Sequence, residues 1–477
     1  AVPNYIAKLL DEPAVNKGYE MAEAEGANAS IASQTSGRLD DLQPSQWYLD
    51  YVKAPQAWSL LANSTAKPAK TKVAVIDTGA SLTHGDLQNI VNKQTSIEVI
   101  YSGDPEKNTQ RSSLPLRGDG YTNGGSSVDE FSSHGTHVSG IIAAEAGNGG
   151  LAGVASGGMT KVANDLVDLS VVDAFSLRVA NSKGGYDPNA TLYDIVYALA
   201  HARDIGAKVV NMSLGFPSSA ENLTATMEQI TTELVEKQDM VIVAAAGNDG
   251  KQERMLPAAC SNVIGVIRVS DEAHLPTGST TFKSASWKTG STTRSWFSNY
   301  GDWCDISAPG EYVISSYLIS GATNGYAYMD GTSMASPIVA AAAAMVRSAA
   351  PGLSAKEVKE VLCSTADDLN TPGKDVQTGH GLVNVEAAVA KALASTSNAE
   401  GSGSGSGKEG EAPETTDPEE PKTYDPLDLQ ISYDKANLSC GTPTTFTLKA
   451  SGGSGSYKYL QNLIWVKLDG VYTDDAD

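Results

Sequence analysis

The sequence is poor in the residues that bind nucleic acids, ligate metals or build disulfide frameworks. Its 477 residues include 34 Lys and Arg against 56 Asp and Glu, which gives a formal net charge of −22 at pH 7. Phosphate binding needs clustered positive charge, so we expect no nucleic-acid partner. The 4 cysteines are too few and too scattered for a disulfide scaffold or for a zinc site with paired CxxC spacing.

Long apolar runs are also missing. No stretch approaches the roughly 20 consecutive apolar residues that a membrane-spanning helix needs, so we expect no membrane span. The first ten residues, AVPNYIAKLL, lack the basic region, apolar core and cleavage site of a signal peptide. Because they do not begin with Met, we interpret the chain as a processed or trimmed piece of a longer precursor.

Composition divides the chain into predicted regions. Residues 1–40 are rich in Ala, Glu and Ser, and residues 41–394 alternate Val- and Ile-rich runs with helical stretches. Residues 395–425 are Gly/Ser-rich and then Pro-rich and acidic, which is typical of a linker. Residues 426–477 have the pattern of short alternating strands. We interpret this last region as a truncated immunoglobulin-like β module, a partial β-sandwich, since a complete one needs about 100 residues.

The alternation within residues 41–394 predicts an α/β fold. Strands that alternate with helices form a mostly parallel sheet with helices on both faces. In such a sheet, ligand sites lie at the carboxyl ends of the strands. Small-residue motifs fall at these predicted strand ends and helix starts, namely VAVIDTG, HGTHVSG, VAAAGN and GTSMASP, and they carry Asp77, His134, Asn248 and Ser333.

These residues are the types that nucleophilic catalysis by serine requires. The serine needs a base to take its proton, an acid to orient that base, and donors aimed at the developing oxyanion. Ser333 is then the serine, His134 the base and Asp77 the acid that orients it, and Asn248 supplies an amide donor. A serine at a helix N-terminus also gains from the backbone donors there.

Two histidines three residues apart could share a metal ion, or one could be a catalytic base and the other a structural residue. His134 and His137 are among only 6 histidines in the chain. A zinc protease of the HExxH type has its histidines at i and i+4 with a glutamate base between them. Here the spacing is i, i+3, and Gly135 and Thr136 fill the gap. We therefore interpret His134 as the base and His137 as a packed structural residue, with no metal in catalysis.

With these motifs in this order, the sequence closely resembles the subtilisin-like serine proteases (subtilases, peptidase family S8) from about Gln43 to Val389. The resemblance implies a subtilisin-like three-layer fold and a secreted, extracellular, monomeric serine endopeptidase that cleaves polypeptide substrates through an acyl-enzyme and needs no catalytic cofactor. It implies that Asp77, His134 and Ser333 are catalytic and that Asn248 lies in the oxyanion hole. It also implies that two segments clasp the substrate, which are Ser213, Leu214, Gly215 and Ala245, Ala246, Gly247.

The resemblance further implies a structural calcium site and a disulfide. Gln43 and Asp86 stand where family members supply calcium ligands, and oxygen ligands suit Ca²⁺. In the third ligand segment an asparagine is expected at position 147, but Asn148 is one place along. Cys260 and Cys304 fall in segments whose cysteines pair in related enzymes, as in other extracellular proteins.

Around the implied cleft, Met255 is expected near the floor of the pocket for the P1 side chain. The segments 88–130 and 272–295 are longer than is typical of the family, and we expect them to border the cleft as loops.

The N-terminus leaves two interpretations open. AVPNY resembles the end of the inhibitory propeptide that precedes many subtilases, and QPSQWYLDYVKAPQAW resembles the start of a mature enzyme. Residues 1–40 are then either the remnant of a propeptide, which makes the chain a zymogen, or an extension that the mature enzyme retains. The alternative function for the whole chain is a binding or adhesion protein that carries a degenerate protease domain.

Overall fold

The structure is a computed structural model, and it describes residues 6–9, 42–101, 111–116, 132–175, 177–180, 186–218, 221–274, 288–318, 324–401, 428–433 and 446–451. Several sequence predictions lie outside these residues. They include the AVPNY motif, most of the predicted linker and most of the predicted β module.

The described residues form the following helices and strands. The helices are α1 (Trp47–Tyr51), α2 (Ala54–Asn63), α3 (Ser133–Ala143), α4 (Leu192–Asp204), α5 (Glu221–Lys237), α6 (Thr332–Ala349), α7 (Ala355–Ser364) and α8 (Val385–Gly401). The strands are β1 (Ile6–Leu9), β2 (Thr71–Asp77), β3 (Ile97–Tyr101), β4 (Arg111–Pro115), β5 (Val167–Asp173), β6 (Leu177–Ala180), β7 (Tyr186–Thr191), β8 (Val209–Met212), β9 (Leu214–Pro217), β10 (Val241–Ala245), β11 (Met255–Leu256), β12 (Ile264–Asp271), β13 (Thr292–Arg294), β14 (Ile306–Pro309), β15 (Val313–Tyr317), β16 (Gly325–Met329), β17 (Asp428–Tyr433) and β18 (Phe446–Ser451).

A mostly parallel sheet forms the centre of the fold. Its strand order is β13-β12-β10-β8-β2-β5-β3-β4, and β14 also pairs with β12. The pairs along β12-β10-β8-β2-β5-β3 and the pair of β14 with β12 are parallel, while the flanking strands β13 and β4 are antiparallel to their neighbours. Strands β8 and β10 are buried over their whole length, as expected for strands with covered faces. The predicted α/β fold with a mostly parallel sheet is therefore confirmed.

The parallel arrangement gathers the carboxyl ends of three neighbouring strands. Val241 pairs with Val209 on the neighbouring strand, and Val209 pairs with Val73 on the strand beyond. Strands β2, β8 and β10 therefore end side by side. Helix α6 packs against these strands and is buried along all of its length, which its alanine-rich sequence permits because small side chains allow close packing.

A second sheet contains the N-terminal strand. Its order is β11-β9-β1-β7-β6, so β1 lies between β9 and β7 and pairs antiparallel with both. Without β1, these two strands would not be joined. The fold thus has a slot for one extended strand, and residues 6–9 occupy it.

Two further observations concern segments that the sequence assigned to loops or linker. The segment 88–130, predicted as a loop, contains the antiparallel pair β3 and β4. Helix α8 continues to Gly401, past residue 395, where the predicted linker begins. None of the helices in the described part of the chain combines the length with the apolar composition that crossing a bilayer requires.

The chain divides into two units, residues 1–404 and 405–477. In the second unit, β17 and β18 pair antiparallel, with Asp428 opposite Ser451 and Tyr433 opposite Phe446. A strand pair of this kind is compatible with many β folds, so the immunoglobulin-like module stays a prediction.

Candidate active site

Asp77 and His134 form the first contact of the site. Asp77 is the last residue of β2, and His134 lies in the first turn of α3. Their side chains meet with 2.7 Å between His134 Nδ1 and Asp77 Oδ1, and both residues are buried. Because a carboxylate oxygen only accepts, Nδ1 carries the proton, and the basic nitrogen of the neutral ring is Nε2.

Glycine at position 135 allows this contact by letting α3 approach β2 closely. A Cβ at Gly135 would overlap the carbonyl oxygen of Gly79 and lie 3.2 Å from the Cβ of Asp77. The Gly135 N–H instead donates to Thr78 Oγ1 at 3.0 Å. The small residues of the HGTHVSG and VAVIDTG motifs therefore serve close packing of helix on strand.

Ser333 lies in the first turn of α6, and Ser213 binds it at two points. Ser333 Oγ donates to the Ser213 carbonyl at 3.2 Å, and Ser213 Oγ donates to the Ser333 carbonyl at 2.9 Å. In an uninterrupted helix, the N–H of residue 337 would donate a hydrogen bond to the Ser333 carbonyl. Pro337 has no N–H, so the carbonyl accepts from Ser213 instead.

A buried polar chain extends this contact, and the sequence analysis missed it. Asn211 Nδ2 donates to Ser213 Oγ at 3.0 Å, and Ser336 Oγ donates to Asn211 Oδ1 at 2.7 Å. The sequence spacing could have indicated Ser336, because it is three residues after Ser333 and so lies on the same face of the helix. Asn211 and Ser336 thus fix the orientation of the Ser213 hydroxyl.

Asn248 follows β10 and is oriented by Thr332. Its Oδ1 accepts hydrogen bonds from the Thr332 N–H at 2.9 Å and from Thr332 Oγ1 at 3.0 Å. A backbone N–H can only donate, so the atom it meets must be the amide oxygen, and the amide nitrogen points away from Thr332. Thr332 Oγ1 in turn accepts from the Gly247 N–H at 3.1 Å.

The two predicted substrate segments lie next to each other. Ser213 follows β8 and precedes β9, while Ala246 follows β10, the parallel neighbour of β8. Met255 of β11 packs against Ala245 and is buried. Gly247 has φ of +105°, and a Cβ there would lie 2.9 Å from Met255 Cγ. Met255 therefore borders the second segment, and its place near a P1 pocket stays a prediction.

Strand β1 runs along the first of these segments. Lys8 pairs with Gly215 and Leu9 with Leu214, while on the other side Ala7 pairs with Ala190. The N-terminal strand therefore makes backbone contacts with residues that the sequence analysis assigned to substrate binding.

His137 lies on the same helix as His134 but faces other elements. Its Nε2 lies 3.1 Å from the Val313 carbonyl and 3.0 Å from the Ala327 carbonyl, which ties α3 to β15 and β16. These contacts place His137 in the packed interior. Within the described ranges, no three His, Cys, Asp or Glu side chains are grouped so that they could hold a metal ion.

The candidate calcium ligands lie near one loop. The buried carboxylate of Asp86 accepts from Asn148 Nδ2 at 3.1 Å, and burial raises the pKa of Asp86. The Leu42 N–H donates to the Gly150 carbonyl at 3.2 Å, which brings the segment of Gln43 to this loop. The asparagine one place along from the expected position thus faces Asp86. A carboxylate and side-chain amides are donor types that Ca²⁺ takes, but Asn148 turns its amide nitrogen toward Asp86 and its Oδ1 accepts from the Gly150 N–H at 2.9 Å, so calcium binding here requires the Asn148 amide to turn over.

The predicted disulfide between Cys260 and Cys304 is not formed in the structure. Both thiols are free and buried, and their surroundings differ. The Cys260 thiol contacts Thr231 and Glu228 of α5, whereas Cys304 lies near Asp305. Burial raises the pKa of Cys260 to about 12 and holds the pKa of Cys304 well above its usual range. The structure therefore does not contain the predicted disulfide, and its two cysteines have different neighbours.

A mostly parallel sheet whose carboxyl edge holds an Asp–His pair, with a serine in the first turn of a buried helix, has the parts that a serine hydrolase of the α/β class requires. Residues 69–381 match the Subtilase family (Peptidase_S8). The chain therefore belongs to the subtilase family, a family of serine proteases, which hydrolyse peptide bonds.

Individual relatives agree with this assignment. The chain is similar to a thermophilic serine proteinase of Bacillus sp. (strain AK1), 32% identical over 331 residues that cover 69% of this chain and 62% of that protein. It is also similar to subtilisin DY of Bacillus licheniformis, 32% identical over 68% of this chain and 92% of that protein. Among solved structures, a protease from Pseudoalteromonas arctica matches with a TM-score of 0.53 at 25% identity, covering 75% of this chain and 100% of that one.

Proposed function

We propose that this protein is a secreted, extracellular, monomeric serine endopeptidase in which Ser333 is the nucleophile, His134 the general base and acid, and Asp77 the group that orients His134. The observation that carries the proposal is the 2.7 Å contact between His134 Nδ1 and Asp77 Oδ1, which leaves Nε2 as the basic nitrogen. Family membership supports the reaction class.

The proposed reaction begins when the Ser333 hydroxyl exchanges its bond to the Ser213 carbonyl for one to His134 Nε2. His134 takes the hydroxyl proton while Oγ attacks the scissile carbonyl carbon. The resulting oxyanion accepts from the Asn248 amide and the Ser333 backbone N–H. His134 then gives its proton to the departing amine. A water molecule then attacks the acyl carbon while His134 takes its proton, and as the bond to Ser333 Oγ breaks, His134 returns that proton to Oγ and the acid product leaves.

We also propose that Ser213, Leu214, Gly215 and Ala245, Ala246, Gly247 bind the substrate backbone as an added strand. The slot between β9 and β7 supports this role, because an extended peptide placed there completes its hydrogen bonds on both sides. The apolar lining from Ala245 and Met255 favours an apolar P1 side chain.

For residues 1–40 we propose the propeptide interpretation, in which the chain is a zymogen that cleaves itself. Leu9 pairs with Leu214, so the next step of the antiparallel register reaches Ser213, which binds Ser333. We therefore expect the cut to fall after Leu10. Purified wild-type protein should then begin at Asp11 after incubation, while Ser333→Ala protein keeps Ala1. Identical N-termini in the two proteins would refute self-cleavage.

We propose a structural calcium ion bound by Asp86, Asn148 and Gln43, with no part in the chemistry. Removing calcium with a chelator should lower the melting temperature, and adding calcium should restore it. The matched control is Asp86→Asn, which removes the only charged ligand among these three, so the melting temperature of this variant should no longer respond to calcium. A wild-type protein that does not respond to calcium would refute the site.

For the C-terminal region we propose the linker 395–425 followed by part of an immunoglobulin-like module at 426–477. The antiparallel pair of β17 and β18 supports strands in this region.

Labelling with a serine-directed phosphonate tests the catalytic assignment. We expect the reagent to modify Ser333 in the wild type and nothing in Ser333→Ala. Ser348→Ala is a matched control, because it removes a buried hydroxyl from the same helix that bonds to the Leu166 carbonyl, and it should keep the label. A protein that takes no label would instead fit the alternative function, a binding protein with a degenerate protease domain.

A further inference from the structure

A buried arginine lies behind the segment that carries Ser333. Arg268 of β12 is fully buried, and its Nη2 lies 3.2 Å from Glu311 Oε2. The guanidinium also stacks on Phe297, with its central carbon 3.2 Å from the ring centroid. Glu311 further accepts from Ser295 Oγ at 2.9 Å and from Ser270. An ion pair removed from water in this way holds its geometry only with such additional hydrogen bonds.

The backbone beside this ion pair contacts the residues that precede Ser333. A Cβ at Gly310 would lie 2.6 Å from Arg268 Cγ and 2.6 Å from the Gly331 carbonyl oxygen, so the three residues are packed in contact. The Gly331 N–H donates to the Gly310 carbonyl at 2.8 Å. Gly331 is followed by Thr332, which holds Asn248.

Asp330 makes the second link between the same two segments. Its carboxylate accepts from the Tyr312 N–H, two residues beyond Gly310. Tyr312 adopts the left-handed conformation, with φ of +52°, and its carbonyl accepts from Trp47 Nε1 at 3.0 Å. Burial raises the pKa of Asp330, and the nearby charge of Arg268 opposes that rise. Asp330 therefore lies within the field of the buried ion pair.

We propose that Asp330 is a positioning residue for the nucleophile. Its bond to Tyr312, together with the Gly331–Gly310 bond, fixes the start of α6 to the segment anchored by Arg268 and Glu311. The inference rests on the proposed function, since it concerns the placement of Ser333 and, through Thr332, of the Asn248 amide. Both groups act on the transition state, so a loosened segment lowers kcat more than it raises KM.

The test compares Asp330→Ala with Asp330→Asn. The alanine variant loses the acceptor for the Tyr312 N–H, and a misplacement of about 1 Å at a catalytic group costs up to about 10²-fold, so we expect kcat to fall about 10- to 100-fold. KM should change by less than about threefold. Asparagine keeps an oxygen at the same place, so Asp330→Asn should stay within about threefold of wild-type kcat.

A second comparison separates positioning from general stability. Arg268→Met and Arg347→Met each remove a buried arginine from an ion pair, and Arg347 pairs with Asp239 at 2.7 Å in the last turn of α6, at the opposite end of the helix from Ser333. Both variants should melt at lower temperature than the wild type. Only Arg268→Met should lose kcat when each is assayed well below its melting temperature.

All rates are to be expressed per site titrated by a serine-directed reagent. Normal kcat in Asp330→Ala, or equal losses in Asp330→Ala and Asp330→Asn, would overturn the positioning role. Equal kcat in the two arginine variants would do the same. A wild-type protein that is not labelled at Ser333 would instead refute the proposed function itself.

Discussion

We expect Asn248→Ala to lower kcat strongly and to leave KM almost unchanged. The side chain uses its two ends differently, because Oδ1 holds Thr332 at 2.9 and 3.0 Å while the amide nitrogen points away from Thr332. Loss of the equivalent donor in subtilisin costs about 10²–10³-fold in kcat, or about 2.7–4 kcal/mol of transition-state stabilisation, and we expect the same range here. KM should change little, since the role proposed for this donor is to stabilise the oxyanion and not the ground-state carbonyl.

The same substitution has a second cost that the structure makes explicit. The Thr332 N–H and hydroxyl both lose their acceptor, and a buried donor left without one costs about 1–3 kcal/mol. We therefore expect the free energy of unfolding to fall by at least about 1 kcal/mol. A donor that contributed to catalysis alone would leave the free energy of unfolding unchanged.

Steady-state kinetics on a chromogenic peptide, with active sites titrated, gives kcat and KM, and denaturant unfolding gives the free energy. Ser333→Ala is the matched control, because it should abolish turnover while the contacts between Asn248 and Thr332 remain. A raised KM with unchanged kcat in Asn248→Ala would refute the oxyanion assignment. Unchanged stability would refute the role of Oδ1 in holding Thr332.

Three further predictions each concern a single buried residue. Ser213→Ala removes the donor to the Ser333 carbonyl and should lower both kcat and the melting temperature; unchanged values would show that this bond is dispensable. Gly135→Ala places a methyl group against the Gly79 carbonyl, so we expect little soluble, active protein, and a fully active variant would contradict the close packing of α3 on β2. Because burial raises the pKa of Cys260 to about 12, its thiol stays protonated at neutral pH and should react with iodoacetamide only after unfolding, which mass spectrometry can measure.

The sequence alone determined the class of fold and the residues proposed for catalysis. Both are local properties, since alternating apolar runs predict a parallel sheet and small residues beside Asp77, His134 and Ser333 mark strand ends and helix starts. The α/β prediction is confirmed, and the structure brings Asp77 into contact with His134. The catalytic roles stay predictions, which labelling and kinetics can test.

Tertiary structure alone decided the features that depend on pairing between distant segments. Strand β1 occupies the slot between β9 and β7 because of hydrogen-bond register, which residues 6–9 do not encode by themselves. The predicted Cys260–Cys304 disulfide is absent from the structure, in which the two buried thiols have different neighbours. Arg268 lies in an apolar strand pattern, and only the fold shows that Glu311, 43 residues further along, balances its charge. Contacts of this kind form when elements pack, so no local periodicity reports them.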